Sequence, residues 1–481
     1  MGTSLDRREF LQMTAAGSAV CLSSGLISLA ARSRGSALVS PGCRGTKVKV
    51  ARLYMGTSHG LWPKPNLDFR QEVKTYEAEF AKLKNELYDV DFVVDQVVSS
   101  PEQIVQLKDK LDKVDGVLAI HFNIGVRSIL DEILKTGKPT VVFALPYSGH
   151  GWVGFGALQN QPLGAKMECM LTSDYGQLAV AIRPFRAIHH LEEAKVLNLT
   201  TRSFEDYAAS MKDKFGTRIE RIELDCVLGA YNSVDDARAK AEAALWTKQA
   251  ERVVEPTVGD VFRSCKLALA LEDIMNEQDA TVMTIDCYGT MWDKTIKLPA
   301  YPCVGFTRLN NMGLGGICES DLQSAMTHII FQGLTGRPGF ISDPTVDEST
   351  NGIILAHCLG TTKMDGPKGP AAPYKLRTVM ERKEGVVPQV EMRRGQRVTQ
   401  GILMGTDYMP YFTGEIIDAP VSLEDDRGCR TKVTVRVDGD VTQLWKNWHG
   451  GLHRQTVYGD IMKELKMFSR FTNIKLEDEA V

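Results

Sequence analysis

The sequence predicts an α/β protein, with two doubly wound α/β domains followed by a mostly antiparallel β domain, a barrel or a sandwich. Three observations lead there. From Lys47 to Asp286, short runs rich in Val, Ile and Leu alternate with stretches of helical period, as expected for parallel sheets covered by helices. Near Tyr175, after a Gly-rich stretch, the alternation begins again. After Pro344 a period of two takes over, as in Val433, Val435 and Val437 before an Asp438-Gly439 turn. The boundaries are set at 1–46, 47–174, 175–344 and 345–481.

The first 46 residues stand apart from the fold. Asp6-Arg7-Arg8-Glu9-Phe10-Leu11 resembles a twin-arginine export signal, and a weakly apolar run follows from Met13 to Ala31. That run is too rich in small residues for a comfortable membrane span, and Ser28 and Ala30 offer a cleavage site. The expectation is a periplasmic or extracytoplasmic protein with no stable membrane anchor after cleavage.

In the first domain, strands are expected at Val48–Tyr54, Val90–Val94, Gly116–Ile120 and Thr140–Ala144. Helices fall between them at Asp68–Leu87, Pro101–Leu111 and Val126–Leu134. No G-x-G-x-x-G follows the first strand, so a dinucleotide site is not supported. The Gly-rich, aromatic loop Tyr147 to Gly156 is a hinge, a lid or a plain crossing. In the second domain, strands are expected at Lys195–Leu199, Glu220–Leu224 and Ala280–Asp286. Helices are expected at Ala179–Leu191, Phe204–Phe215, Ser233–Glu251 and Val258–Glu277. The last domain has strand-like runs at Gly352–Cys358, Tyr374–Met380, Gln389–Met392, Val398–Met404 and Phe412–Asp418, then a helix at Asp460–Phe468.

Composition narrows the function. The net charge is −3 and no Lys/Arg block is interleaved with aromatics, which argues against nucleic acid as a partner. The 10 cysteines include no C-x-x-C pair, so neither a zinc ribbon nor a dense disulfide framework is expected. Cys265, Cys287 and Cys358 sit in apolar runs and read as buried thiols.

The chemistry concentrates between Cys318 and Pro344. Leu322, Ala325, Met326, Ile329, Ile330 and Gly333 form one apolar stripe of a helix. Glu319 extends that stripe into the first turn, and Gly339 to Asp343 reads as a strand stopped by Pro344. A helix of about 17 residues is roughly 25 Å long, and a parallel strand returning from it ends at the sheet edge where the helix began. Glu319 and Asp343 should therefore meet where such folds bind ligands. Two buried acids side by side need a proton or a cation between them.

The spacing of 24 residues (343 − 319), within E-x-D and L-T-G ahead of a second Asp, resembles the L-fucose isomerase family, related to the L-arabinose isomerases. Asp286-Cys287-Tyr288, Pro302-Cys303 and the Gly-rich approach to Cys318 add to the likeness, as does His453 ahead of Tyr458-Gly459. The resemblance implies an aldose–ketose isomerase acting through a cis-enediolate, with Glu319 and Asp343 as acid/base groups. It implies that Glu319, Asp343 and His453 hold a divalent metal, usually Mn²⁺, with His449 as the fallback for the histidine. His357, 14 residues after Asp343 (357 − 343), is an extra ligand, an orienting group or a buried core histidine. A small-molecule sugar is the implied partner, and a trimer or hexamer the implied assembly. Leu452 departs from the family pattern, which places an asparagine there, and the Asp286–Trp292 loop differs too. The alternative from another class is a non-catalytic periplasmic sugar-binding protein on the same fold.

Overall fold

The computed structural model describes residues 37–421, 423 and 427–481. The twin-arginine motif and the apolar run after it lie outside the described residues. The chain is a mixed α/β protein with parallel-sheet domains and a closed antiparallel barrel of six strands.

The first sheet contains β1 (Val48–Met55), β2 (Val90–Val98), β3 (Gly116–His121), β4 (Thr140–Ala144) and β5 (Met167–Leu171). It is wholly parallel, in the order β2-β1-β3-β4-β5. Both faces are buried. Val48, Val50 and Tyr54 enter one core with Leu118 and Phe143, while Ala51, Leu53 and Met55 enter the other with Ile129 and Ile133. That explains why β1 reads as a nearly continuous apolar run.

The second domain contributes β6 (Lys195–Leu199), β7 (Arg218–Arg221), the short β8 (Arg252–Val253), β9 (Val282–Ile285) and β10 (Gly315–Cys318). Its parallel sheet runs β10-β9-β6-β7, and the order reverses between β6 and β9. The strand expected at Glu220–Leu224 lies earlier, because a helix already begins at Leu224. The helix expected at Ser233–Glu251 runs over Asp236–Gln249, and a separate helix, Leu224–Ser233, precedes it. Asp235 breaks the run by accepting a hydrogen bond from the Arg238 N–H, as an N-cap.

The barrel is built from β11 (Phe340–Asp347), β12 (Gly352–His357), β15 (Arg397–Gly401), β16 (Tyr408–Asp418), β17 (Thr431–Val437) and β18 (Arg454–Tyr458). Its ring runs β15-β18-β11-β12-β17-β16 and closes through β15 against β16. β19 (Lys475–Asp478) adds in parallel to β16. Phe340, Ile353, Leu355, Val398, Phe412, Val433 and Val435 fill its core. Two expected barrel strands lie elsewhere. β13 (Tyr374–Arg377) pairs with β14 (Val387–Val390) on one side and with β8 on the other, in a separate small sheet. Alternation marks a strand but does not choose its partner.

Two helices tie the domains together. Gln177–Glu193 packs on Leu322–Thr335, so closely that a Cβ on Gly333 would lie 2.6 Å from Ala187 Cα. Glycine is required at that crossing. The Met462–Thr472 helix returns from the barrel to the same Gln177–Glu193 helix, where Phe471 stacks on Phe185 and Glu464 pairs with Arg183 at 2.6 Å.

Candidate functional site

Glu319 is not on a helix. It follows β10 at the carboxyl edge of the second sheet, and the helix begins only at Leu322. Between them Glu319 and Ser320 are left-handed, at φ 63° and 56°. Such a conformation costs about 1–3 kcal/mol per non-glycine residue and is typical of functional sites. Neighbours hold the turn. The Ser320 N–H donates to Ile285 O at 3.1 Å, and its hydroxyl donates to Asn198 Oδ1 at 2.7 Å. Arg202 donates to the Glu319 carbonyl and pairs with Asp286 at 3.0 Å. Asp321 caps the helix by accepting from the Ser324 N–H at 2.9 Å.

Asp343 comes from the barrel. β11 runs through Pro344 without stopping and pairs antiparallel with β12, with Asp343 opposite Ala356. It is therefore not the next parallel strand of the α/β layer. Proline is tolerated because a ladder can omit one donor near the end of a pairing. His357 closes β12.

His453 sits on the loop into β18. Gly450 and Gly451 are both left-handed there, at φ 92° and 72°. The fully buried Arg454 fixes the loop from below by pairing with Glu479, stacking on Trp448 at 3.3 Å and donating to Gly450 O at 3.1 Å. His449 lies outside the cluster, with Glu479 at 3.6 Å and the Tyr408 ring at 5.6 Å. Leu452 is 65% exposed, so the residue in the asparagine position offers the cluster no polar group.

The structure brings Glu319, Asp343, His357 and His453 together. His453 Nε2 is 3.1 Å from Asp343 Oδ1 and 3.5 Å from Glu319 Oε2. The His357 and His453 rings lie 5.3 Å apart. Glu319, His357 and His453 each offer a ligand atom, all within 4.8 Å of one another. Sequence reasoning assigned no role to Asp321, whose Oδ2 lies 3.4 Å from the other His453 nitrogen, Nδ1. The E-x-D spacing was visible, but which nitrogen each acid faces was not.

Electrostatics separate these groups. Burial opposes charge on His453, yet its contacts with Asp321 and Glu319 prevail and push it up to about 11. Burial raises the Glu319 carboxyl, and the His453 contact more than offsets this, leaving it below the ordinary range. Burial lifts Asp343 to about 6; His453 draws it down while Glu319 and Glu381 push it up. Burial and then the His453 charge lower His357 to about 3, so it is a neutral imidazole.

These residues fit a divalent cation. His357 Nδ1 is buried without a hydrogen-bond partner, and buried Asp343 Oδ1 makes no hydrogen bond beyond its 3.1 Å ion-pair contact with His453 Nε2. An orphan such as His357 Nδ1 costs about 1–3 kcal/mol. Carboxylate oxygens with imidazole nitrogens are a donor set for Mn²⁺-like ions. The Asp321 carboxylate behind His453 is the arrangement that orients metal-binding histidines.

The loop after β9, at the same edge, carries a turn of π-helix at Gly289–Asp293. It exposes Tyr288 and Trp292, with rings 5.9 Å apart, and the Arg382 guanidinium lies 5.2 Å from the Trp292 ring. This is an aromatic face of the kind on which sugar rings stack.

No family model matches the chain. It is similar to a sulfoquinovose isomerase of Clostridium sp. (strain MSTE9), at 25% identity over 185 residues. The match covers 36% of this chain and 39% of that relative.

Proposed function

We propose that this protein is a metal-dependent sugar isomerase that interconverts an aldose and its ketose. The observation that carries the reading is the convergence of Glu319, His357 and His453, with Asp343 Oδ1 against His453 Nε2 and the buried His357 Nδ1 making no hydrogen bond. The distant likeness to a sugar isomerase supports the same class.

In this reading Glu319, Asp343 and His453 hold the cation, and His357 is a fourth ligand. Bound there, the cation supplies positive charge beside two neighbouring sugar oxygens, which acidifies the C–H between them. Asp321 keeps His453 oriented through Nδ1. Asp343, which shares His453 Nε2 with Glu319, takes a proton from one carbon and returns it to the next. Glu319 stays ionised and serves as ligand and as the second proton acceptor. The Tyr288–Trp292 face positions the ring. The N-terminal Arg7-Arg8 motif supports export of the protein, and replacing both with lysine would then strand it in the cytoplasm.

The test is incubation of the purified, Mn²⁺-loaded protein in D₂O with L-fucose, D-arabinose, sulfoquinovose and related aldoses. Deuterium should enter at C2 and a ketose should accumulate with at least one of them. Sugar binding without any exchange would assign the protein to the binding-protein class instead.

A further inference from the structure

A second group of metal-binding side chains lies away from this site, where the chain enters the fold. Residues 38–46, expected from the sequence to stand apart from the fold, instead run before β1 as a strap hydrogen-bonded into it. The Gly42 N–H donates to Gly313 O at 2.7 Å, and Arg44 donates to Ala280 O at 2.9 Å and Asn276 Oδ1 at 2.8 Å. The strap thereby places Cys43, 1% exposed, against the last turn of the Gln177–Glu193 helix. His189 and Glu193 are four residues apart there and share a face. Cys43 Sγ is 3.1 Å from Glu193 Oε2, His189 Nε2 is 3.4 Å from the same oxygen, and all three ligand atoms lie within 4.8 Å of one another.

We propose that Cys43, His189 and Glu193 form a structural site for a zinc-class divalent cation that fastens the strap to the helix. Tetrahedral zinc with bonds of about 2.0–2.3 Å spaces its ligand atoms by about 3.3–3.8 Å, close to the separations seen. The Thr46 carbonyl, 2.9 Å from His189 Nε2, stands ready as a fourth donor. Behind the ring, His189 Nδ1 faces Asp115 Oδ2 at 3.2 Å, and Asp115 also accepts from the Lys49 N–H at 2.6 Å. A carboxylate on the far nitrogen is what fixes a metal-binding imidazole. One thiolate, one imidazole and one carboxylate suit Zn²⁺ better than the harder ions that an oxygen-rich centre takes. On binding, the Cys43 S–H proton and the His189 Nε2 proton pass to solvent, so one cation replaces two protons. Without metal, the same groups form a hydrogen-bonded latch, with the Thr46 N–H and hydroxyl also donating to Glu193.

Cobalt distinguishes the two states, because only a thiolate ligand produces a near-ultraviolet sulfur-to-cobalt charge-transfer band. Metal-free full-length protein titrated with Co²⁺ should develop that band to one equivalent. Cys43→Ser should abolish it and bind one cobalt fewer, while retaining cobalt at the Glu319–His453 centre. Glu193→Gln keeps the thiol and should weaken the band-forming site at least tenfold. No band in the wild type overturns the proposal. So does a band that survives Cys43→Ser, which would move the site to Cys358, Glu381 and Cys429, the other thiol-bearing cluster among the described residues. Should Cys43→Ser fail to fold, an unaltered cobalt affinity in Glu193→Gln overturns it equally.

Discussion

The charge state of His453 predicts how metal affinity depends on pH. In the metal-free protein this imidazole keeps its proton to about pH 11, because Asp321, Glu319 and Asp343 surround it. A cation bound by Nε2 must displace that proton. Asp343 is already ionised above about 6, and His357 is already neutral, so neither adds a proton near pH 8. One proton should therefore leave per cation between about pH 7 and 8.5. The free state holds the extra proton, so binding strengthens as pH rises, about tenfold per unit or ~1.4 kcal/mol. Below about 6, Asp343 must also lose a proton, and the slope should steepen toward ~100-fold per unit. The assay is calorimetric titration with Mn²⁺ in buffers of different ionisation enthalpy, which counts protons directly. It is best run on Cys43→Ser, so that the second cluster does not contribute. His453→Ala should abolish the proton release. Affinity that stays flat from about pH 7 to 8.5, with no proton released, would refute the claim that His453 is a ligand held protonated by its neighbours.

Three substitutions test the remaining parts. Glu319→Gln and Asp343→Asn should each lower isomerisation by about 10²–10⁴-fold, the usual worth of a positioned acid/base group, while the fold persists; deuterium uptake at C2 is the readout, and near-normal exchange in both would remove the carboxylates from the chemistry. Glu479→Gln leaves the fully buried Arg454 without its counter-charge and should cost about 3–5 kcal/mol. Denaturant midpoints measure that, and a loss below about 1 kcal/mol would mean that the His453 loop is held by other contacts.

Much of the fold was legible because helical and strand periods are local properties. The apolar runs of β1, β3 and β4 and the stripe from Leu322 to Gly333 mark buried segments before any partner is known, although that helix is buried all round, with Thr327, His328 and Gln332 off the stripe inside as well. The Val433, Val435, Val437 series, which points into the barrel core, does the same. Partner choice is not local. Tyr374–Arg377 reads as well for a barrel strand as for the small sheet it joins, and only its pairing with Arg252–Val253 decides. Glu319, Asp343 and His453 were named from the sequence, yet the route that brings them together was misjudged. Glu319 was assigned to a helix and Asp343 to a parallel strand. In the structure a left-handed turn carries Glu319 off the end of β10, and the closing barrel delivers Asp343 from β11. Asp321 shows the same limit at the scale of one side chain. Its spacing from Glu319 is plain in the sequence, but its place behind His453 depends on a loop 132 residues later (453 − 321). The sequence by itself determined which residues carry ligand chemistry and which faces are apolar, since those follow from residue type and period. Tertiary structure alone decided which nitrogen meets which carboxylate, because that depends on distances closed by long-range packing.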